Sequence, residues 1–106
     1  HPYFRRDGAN LLVDVPVSLT EASLGAKVDV PTLSEGLITV TVPAGSASGT
    51  RLRLRGKGII NRKTNEPGDL YAILQIVVPK SLDERSRALL EEFAELHPED
   101  PRDGRW

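Results

Sequence analysis

The stretch Val42-Pro43-Ala44-Gly45-Ser46-Ala47-Ser48-Gly49-Thr50-Arg51-Leu52-Arg53-Leu54-Arg55-Gly56-Lys57-Gly58 decides how the rest of the chain is read. Pro43, Gly45 and Gly49 punctuate a turn region rich in Ala and Ser, since proline fixes φ and glycine admits positive φ. Arg51 to Arg55 then alternates strictly, which puts three guanidinium groups on one face of a strand and two leucines on the other. Gly56 and Gly58 break that strand as soon as it has formed. The pattern is a turn, an amphipathic strand with the character of a sheet edge, and a second turn.

The same alternation recurs on both sides of it. Leu11, Val13, Val15 and Val17 share one face of an upstream strand, and Pro16 predicts that this strand lies on an edge or ends there. The residues before it, up to Asn10, are polar and read as a lead-in. Ser18-Leu19-Thr20-Glu21 has the spacing of a capping box and Gly25 that of a C-cap, so a short helix is expected from Leu19 to Leu24. Lys27 to Thr32 and Leu37 to Val42 are two further strands. Asn61 to Gly68 reads as a polar loop. Asp69 to Val78 is the longest strand and apolar on both faces, which predicts a central position.

After Pro79 the character changes. Ser81-Leu82-Asp83-Glu84 is a second capping box, and Leu82, Leu89, Leu90, Phe93 and Leu96 recur at helical spacing until Pro98 stops the helix. A polar tail ends in Trp106, the one tryptophan of the chain. Short strands followed by one terminal helix predict a mainly β chain: a small β-sandwich with a short helix after the first strand and a C-terminal helix. The boundary is expected between residues 1–79 and 80–106.

With 106 residues the chain suits one domain, and a net charge of −1 gives no global field toward nucleic acid or membrane. Zero cysteines exclude disulfides and thiolate metal sites. No apolar run approaches the ~20 residues of a membrane span, and nothing resembles a signal peptide. A soluble protein of the cytoplasm is the default expectation. The first residue is His1 rather than Met, which predicts a piece of a longer protein.

No catalytic constellation is present. His1 and His97 are the two histidines, and neither sits beside a candidate nucleophile in a recognisable motif. Gly56-Lys57-Gly58 lacks the glycine spacing and following Ser or Thr of a phosphate loop. No cofactor and no metal are expected. Charge is nevertheless segregated: Arg51 to Lys63 holds six basic residues and no acidic one, whereas Ser81 to Trp106 holds eight acidic against four basic. Arg51, Arg53, Arg55, Lys57, Arg62 and Lys63 are therefore candidates for contact with an acidic partner or with DNA. The same arginines would equally keep an edge strand from pairing with neighbours. The stripe of Leu89, Leu90, Phe93 and Leu96, with Trp106, is either core or a self-association surface.

Taken in order, these motifs resemble the second C-terminal β-domain of DnaJ-type co-chaperones. The resemblance rests on His1-Pro2-Tyr3-Phe4-Arg5-Arg6, Asn10-Leu11, Pro16-Val17-Ser18-Leu19-Thr20-Glu21-Ala22 and Leu24-Gly25. It continues through Val30-Pro31-Thr32-Leu33, Pro43-Ala44-Gly45 with Gly49, Arg53-Leu54-Arg55-Gly56-Lys57-Gly58, and Gly68-Asp69-Leu70. The terminal helix and Asp100-Pro101-Arg102 are similar to the subgroup of curved-DNA-binding J-proteins. The resemblance implies a tandem of such domains in the full protein, dimerisation through the C-terminus, binding of unfolded clients, and delivery to a DnaK-type partner through parts mostly outside this chain. It also implies a client groove at Val13, Val15, Val28 and Val30, positions whose small valines fit a core equally well. The His-Pro-Asp loop of a J-domain is not found. His97-Pro98-Glu99 is a near miss that ends a helix, so this chain is not expected to stimulate the partner's ATPase. DNA binding by the basic segment, with association to the nucleoid, is the alternative function.

Overall fold

The computed structural model describes residues 2–106. His1, which opens the family-like motif and is one of the two histidines, lies outside the described residues. The order of elements is β1 (Phe4–Asp7), β2 (Asn10–Ser18), α1 (Leu19–Leu24), β3 (Ala26–Pro31), β4 (Leu37–Val42), β5 (Arg51–Leu54), β6 (Ile60–Asn61), β7 (Glu66–Pro67), β8 (Leu70–Val77) and α2 (Glu84–Leu96).

Four strands form the main sheet in the order β1-β2-β8-β5. β8 is central, as its two apolar faces require. It runs parallel to β2, with Val13 opposite Ala72, Val15 opposite Leu74 and Val17 opposite Ile76, and antiparallel to β5. The alternating apolar residues of β2 and β8 therefore share one face of the sheet. Facing them is the β3–β4 hairpin, in which Val28 pairs with Val40 and Val30 with Ile38. Val30, Val42 and Ala22 join the valines of β2 and Leu70, Ala72 and Leu74 of β8 in one buried cluster. That is a two-layer β arrangement with a helix tucked at one end.

α1 begins where its capping box predicts. Ser18 Oγ accepts from the Glu21 amide at 3.0 Å, and Glu21 Oε1 accepts from the Ser18 amide at 2.8 Å. The turn region of the opening stretch then closes the other end of this helix. The amides of Gly45 and Ser46 donate to the Ala22 carbonyl at 2.9 and 3.0 Å, supplying partners that a helix C-terminus lacks.

Four details correct the sequence reading. The lead-in contains β1, which pairs Phe4 with Val13 and Asp7 with Asn10, so α1 follows the second strand rather than the first. The polar loop contains the β6–β7 hairpin, with Asn65 at its tip in the left-handed region, φ 59°. Asparagine tolerates that region better than most residues. Of the two readings of Pro16 the edge holds and the strand end does not: β2 continues to Ser18, and its β1 side has no strand partner beyond Val13 among the described residues. The N-cap of α2 is Asp83 rather than Ser81, with its carboxylate accepting from the Ser86 amide at 2.7 Å.

α2 stands apart from the sandwich. None of its residues is buried. The radius of gyration is 17.6 Å, against about 13 Å for a compact chain of this length, and the longest extent is 55 Å.

Candidate functional site

The exit of β8 determines what the chain offers a partner. Val77 and Val78 leave the sheet exposed, Pro79 turns the chain, and α2 returns past the start of α1. Between these elements lies an apolar hollow of about 630 Å³. Pro16, Leu19 and Val78 line it from the sheet side, and Leu82 with Leu89 and Leu90 of α2 from the other. β2 pairs with β8 as far as Ser18, whereas on its other side it has no strand partner beyond Val13 among the described residues.

Phe93, Leu96 and Trp106 do not line this hollow. They are 55%, 71% and 92% exposed, and Phe93 stacks on His97 with ring centroids 4.9 Å apart. The stripe read from the sequence is thus divided along α2. Leu89 and Leu90 face the hollow, while the others extend outward without a core to cover them.

The valines expected to line a groove occupy the interior instead. Val13, Val15 and Val30 are buried and Val28 is half-buried against them, so in this packing they present almost no surface to a client. The period-two pattern of an inward-facing strand is identical for a core and for a groove floor. Only the packing of the β3–β4 layer against β2 and β8 distinguishes the two. The lining residues not singled out as a site from the sequence were Pro16, Val77 and Val78; the signal for the last two was the apolar end of the longest strand running into Pro79.

The basic segment is not one continuous cationic strip. Arg53 pairs with Asp69 at 2.6 Å and Lys57 with Glu35 at 2.6 Å. Arg51, Arg55, Arg62 and Lys63 make no ion pair among the described residues. β5 does lie at the edge of the sheet with Arg51 and Arg53 exposed. Among the described residues no group of three or more His, Cys, Asp or Glu could hold a metal ion. No helix there is long and apolar enough to cross a membrane.

Asp69 ties this region together. Its carboxylate accepts from the Gly56 amide at 2.9 Å and from Arg53 Nε at 2.7 Å, its amide donates to Asn10 Oδ1 at 2.8 Å, and its carbonyl accepts from the Leu11 amide at 2.9 Å. Gly56 meets that carboxylate from a left-handed φ of 73°. The Gly56 amide and then the Arg53 guanidinium hold the Asp69 carboxyl below the usual range, against an opposing desolvation. Asp83 is lowered by the Ser86 amide, and Asp14 by Arg5.

Depressed folded-state values stabilise the chain fully above the unfolded carboxyl value of about 3.9, and this is lost as pH falls through the lower folded value. Thermal melts should therefore be flat from neutral pH to about pH 5 and decline below about pH 4. The Asp69→Asn variant should melt lower at neutral pH and decline less steeply in acid. An acid slope equal to that of the parent chain would remove Asp69 from this account.

Comparison with known proteins follows the same geometry. The model of the DnaJ C-terminal domain matches residues 1–79, which includes both layers of the sandwich. The chain belongs to the DnaJ C-terminal domain family. Relatives include a chaperone protein DnaJ of Ruminiclostridium cellulolyticum, 45% identical over 105 residues, covering 99% of this chain and 27% of the relative. The curved DNA-binding protein of Serratia proteamaculans is 48% identical over 103 residues, covering 96% of this chain and 32% of the relative. That of Escherichia coli K12 is likewise 48% identical, with 33% of the relative covered. The chain thus spans about a quarter to a third of the length of the curated relatives it matches. Both similarities extend past residue 79 into α2, because they cover nearly the whole chain.

Proposed function

We propose that this DnaJ C-terminal domain binds apolar segments of unfolded polypeptides and dimerises its parent J-protein, so that captured clients can be passed to a DnaK-type chaperone. The observation that carries this reading is the apolar hollow between the sheet and α2, at the end of a strand, β2, whose β1 side has no strand partner beyond Val13 among the described residues. Unfolded clients expose apolar side chains and unsatisfied amides together, and a strand edge next to an apolar wall receives both. Leu89 and Leu90 serve the hollow, while Phe93, Leu96 and Trp106 serve the second copy. Two weak sites tethered in a dimer gain avidity that neither has alone. Residues 1–79 are the receiving body in this reading and 80–106 the assembly arm, acting in the cytoplasm.

The test is suppression of aggregation of a reduced, unfolded protein by the dimer, with peptide-induced amide shifts followed by NMR. Leu19→Ser combined with Leu90→Ser should weaken client binding about tenfold, since two large apolar contacts are lost. Shifts that avoid Pro16 to Thr20 and Val77 to Leu90 would place the client elsewhere.

A second reading is duplex DNA, favoured by Arg51, Arg55, Arg62 and Lys63, which make no ion pair among the described residues, and by two relatives that are curved DNA-binding proteins. It ranks second because Arg53 and Lys57 are already engaged by carboxylates. Contact with n phosphates would steepen log K against log salt by about −0.9n for duplex DNA.

A further inference from the structure

A different hollow opens at the other end of the sheet. It has about 520 Å³ and lies where the β1–β2 turn meets the β6–β7 hairpin. Arg6, Arg62 and Lys63 converge on it, with Ile59 and Ile60 between them, and no acidic residue lines it. We propose that this hollow docks an acidic peptide segment that carries an aliphatic residue beside its carboxylates.

Charge complementarity is the first argument. None of the three cations makes an ion pair among the described residues, so none is already neutralised. Arg6 donates through Nε to the Gly8 carbonyl at 2.8 Å, which fixes its stem and leaves its outer guanidinium nitrogens available. The Lys63 amide donates to Asn61 Oδ1 at 2.9 Å, and the Asn65 amide to the Asn61 carbonyl at 2.7 Å, so the hairpin tip has a defined shape. Its base is pinned to the β1–β2 turn by the Ile59 amide, which donates to the Ala9 carbonyl at 2.8 Å. Cations held on an ordered scaffold lose less freedom when an anion arrives.

Shape decides which anion. A neighbouring hollow of about 690 Å³ shares Ile59, Ile60 and Arg62 and adds Leu33 and Pro67 as apolar walls. Ile60 is 60% exposed on the ridge between the two. A carboxylate on Arg62 therefore lies next to a place for an aliphatic side chain. A nucleic-acid backbone has no use for the aliphatic walls, and no aromatic side chain lines either hollow for base stacking. An acidic peptide with a branched or straight aliphatic residue matches both halves.

The site is independent of the client and dimer reading. The hairpin is bonded to Gly68, at the start of β8, whereas α2 leaves from its end. Eight residues of strand separate them by about 25 Å. Assembly through α2 leaves this hollow open.

The test uses the 106-residue chain and fluorescence anisotropy with a labelled hexapeptide of alternating glutamate and leucine. Its lysine–leucine counterpart and a short labelled DNA duplex are run in parallel. The glutamate peptide should bind and shift the amides of Ile60, Arg62 and Lys63, and the lysine peptide should not bind. Arg62→Glu with Lys63→Glu should weaken the interaction about tenfold or more by losing two charge-assisted contacts, and Ile60→Ser about threefold. Equal affinity in the charge-reversed variant, or peptide shifts confined to other residues, would overturn the proposal. Tighter binding of the duplex through the same residues would assign the hollow to nucleic acid and overturn it equally.

Discussion

Gly68→Ala should destabilise the chain by about 3 kcal/mol or more, a large fraction of the ~5–15 kcal/mol that holds a domain folded. A Cβ at this position would be driven into the carbonyl group of Ala9. The obstacle is backbone, so no side-chain rotation can relieve it. At Gly58, across the same junction, a Cβ would lie 2.5 Å from the Ala9 oxygen and 2.7 Å from the Asp69 nitrogen. Three backbone segments meet there, joined by Ile59 to Ala9, Gly58 to Gly68 and Gly68 to Ile59 hydrogen bonds of 2.8 to 3.0 Å. Moving any one apart breaks these bonds. Gly36→Ala is the control. It has positive φ but nothing within 4 Å, so its cost is the left-handed backbone alone, about 1 kcal/mol. Urea melts of both variants separate close packing from backbone preference, and similar costs at the two positions would refute the junction argument.

Phe93→Asp should weaken self-association roughly 100-fold while leaving the melting of the sandwich unchanged. Phe93 is more than half exposed, and its ring stacks on His97 at the C-cap of α2. A helix of 13 residues is marginal in water on its own, and this one buries none of its side chains within the chain. Covering Phe93 and Leu96 with a second copy supplies what the helix lacks, and a carboxylate at the centre of that contact would be desolvated without a partner. Sedimentation equilibrium over a range of concentrations reads the change. An oligomeric state indifferent to Phe93→Asp rules out the stripe as the interface, and a lowered melting temperature would mean that the side chain supports the body after all.

Much of this architecture was legible in local pattern. The central position of β8 followed from its two apolar faces, and α1 from Ser18 and Glu21, because capping and alternation are decided within a few residues. β1 was hidden because Arg5, Arg6 and Asp7 face solvent. What makes them a strand is the register against Leu12, Leu11 and Asn10, which composition does not carry. Ser81 and Asp83 are both good caps. The choice of Asp83 depends on where Val77, Val78 and Pro79 deliver the chain. The candidate site was less readable than the fold. Val13, Val15 and Val30 satisfy the pattern of a groove and of a core, and the covering β3–β4 layer is a long-range fact. Arg53 and Lys57 looked as available as Arg62 and Lys63. Their partners, Asp69 and Glu35, lie 16 and 22 residues away in sequence.

The parallel pairing of β2 with β8 also sets a timetable for synthesis. Asn10 and Asp69 are joined by a hydrogen bond across 59 residues, and the parallel ladder of Leu11 to Ser18 forms with Leu70 to Val77. A ribosome-bound chain that stops short of Leu70 holds β1, β2 and β5 with no central strand between them. Loop closure of that size makes such contacts slow to form. The valines of β2 therefore stay wet until the last strand emerges, and the nascent domain is itself, for that interval, a polypeptide of the kind a chaperone recognises.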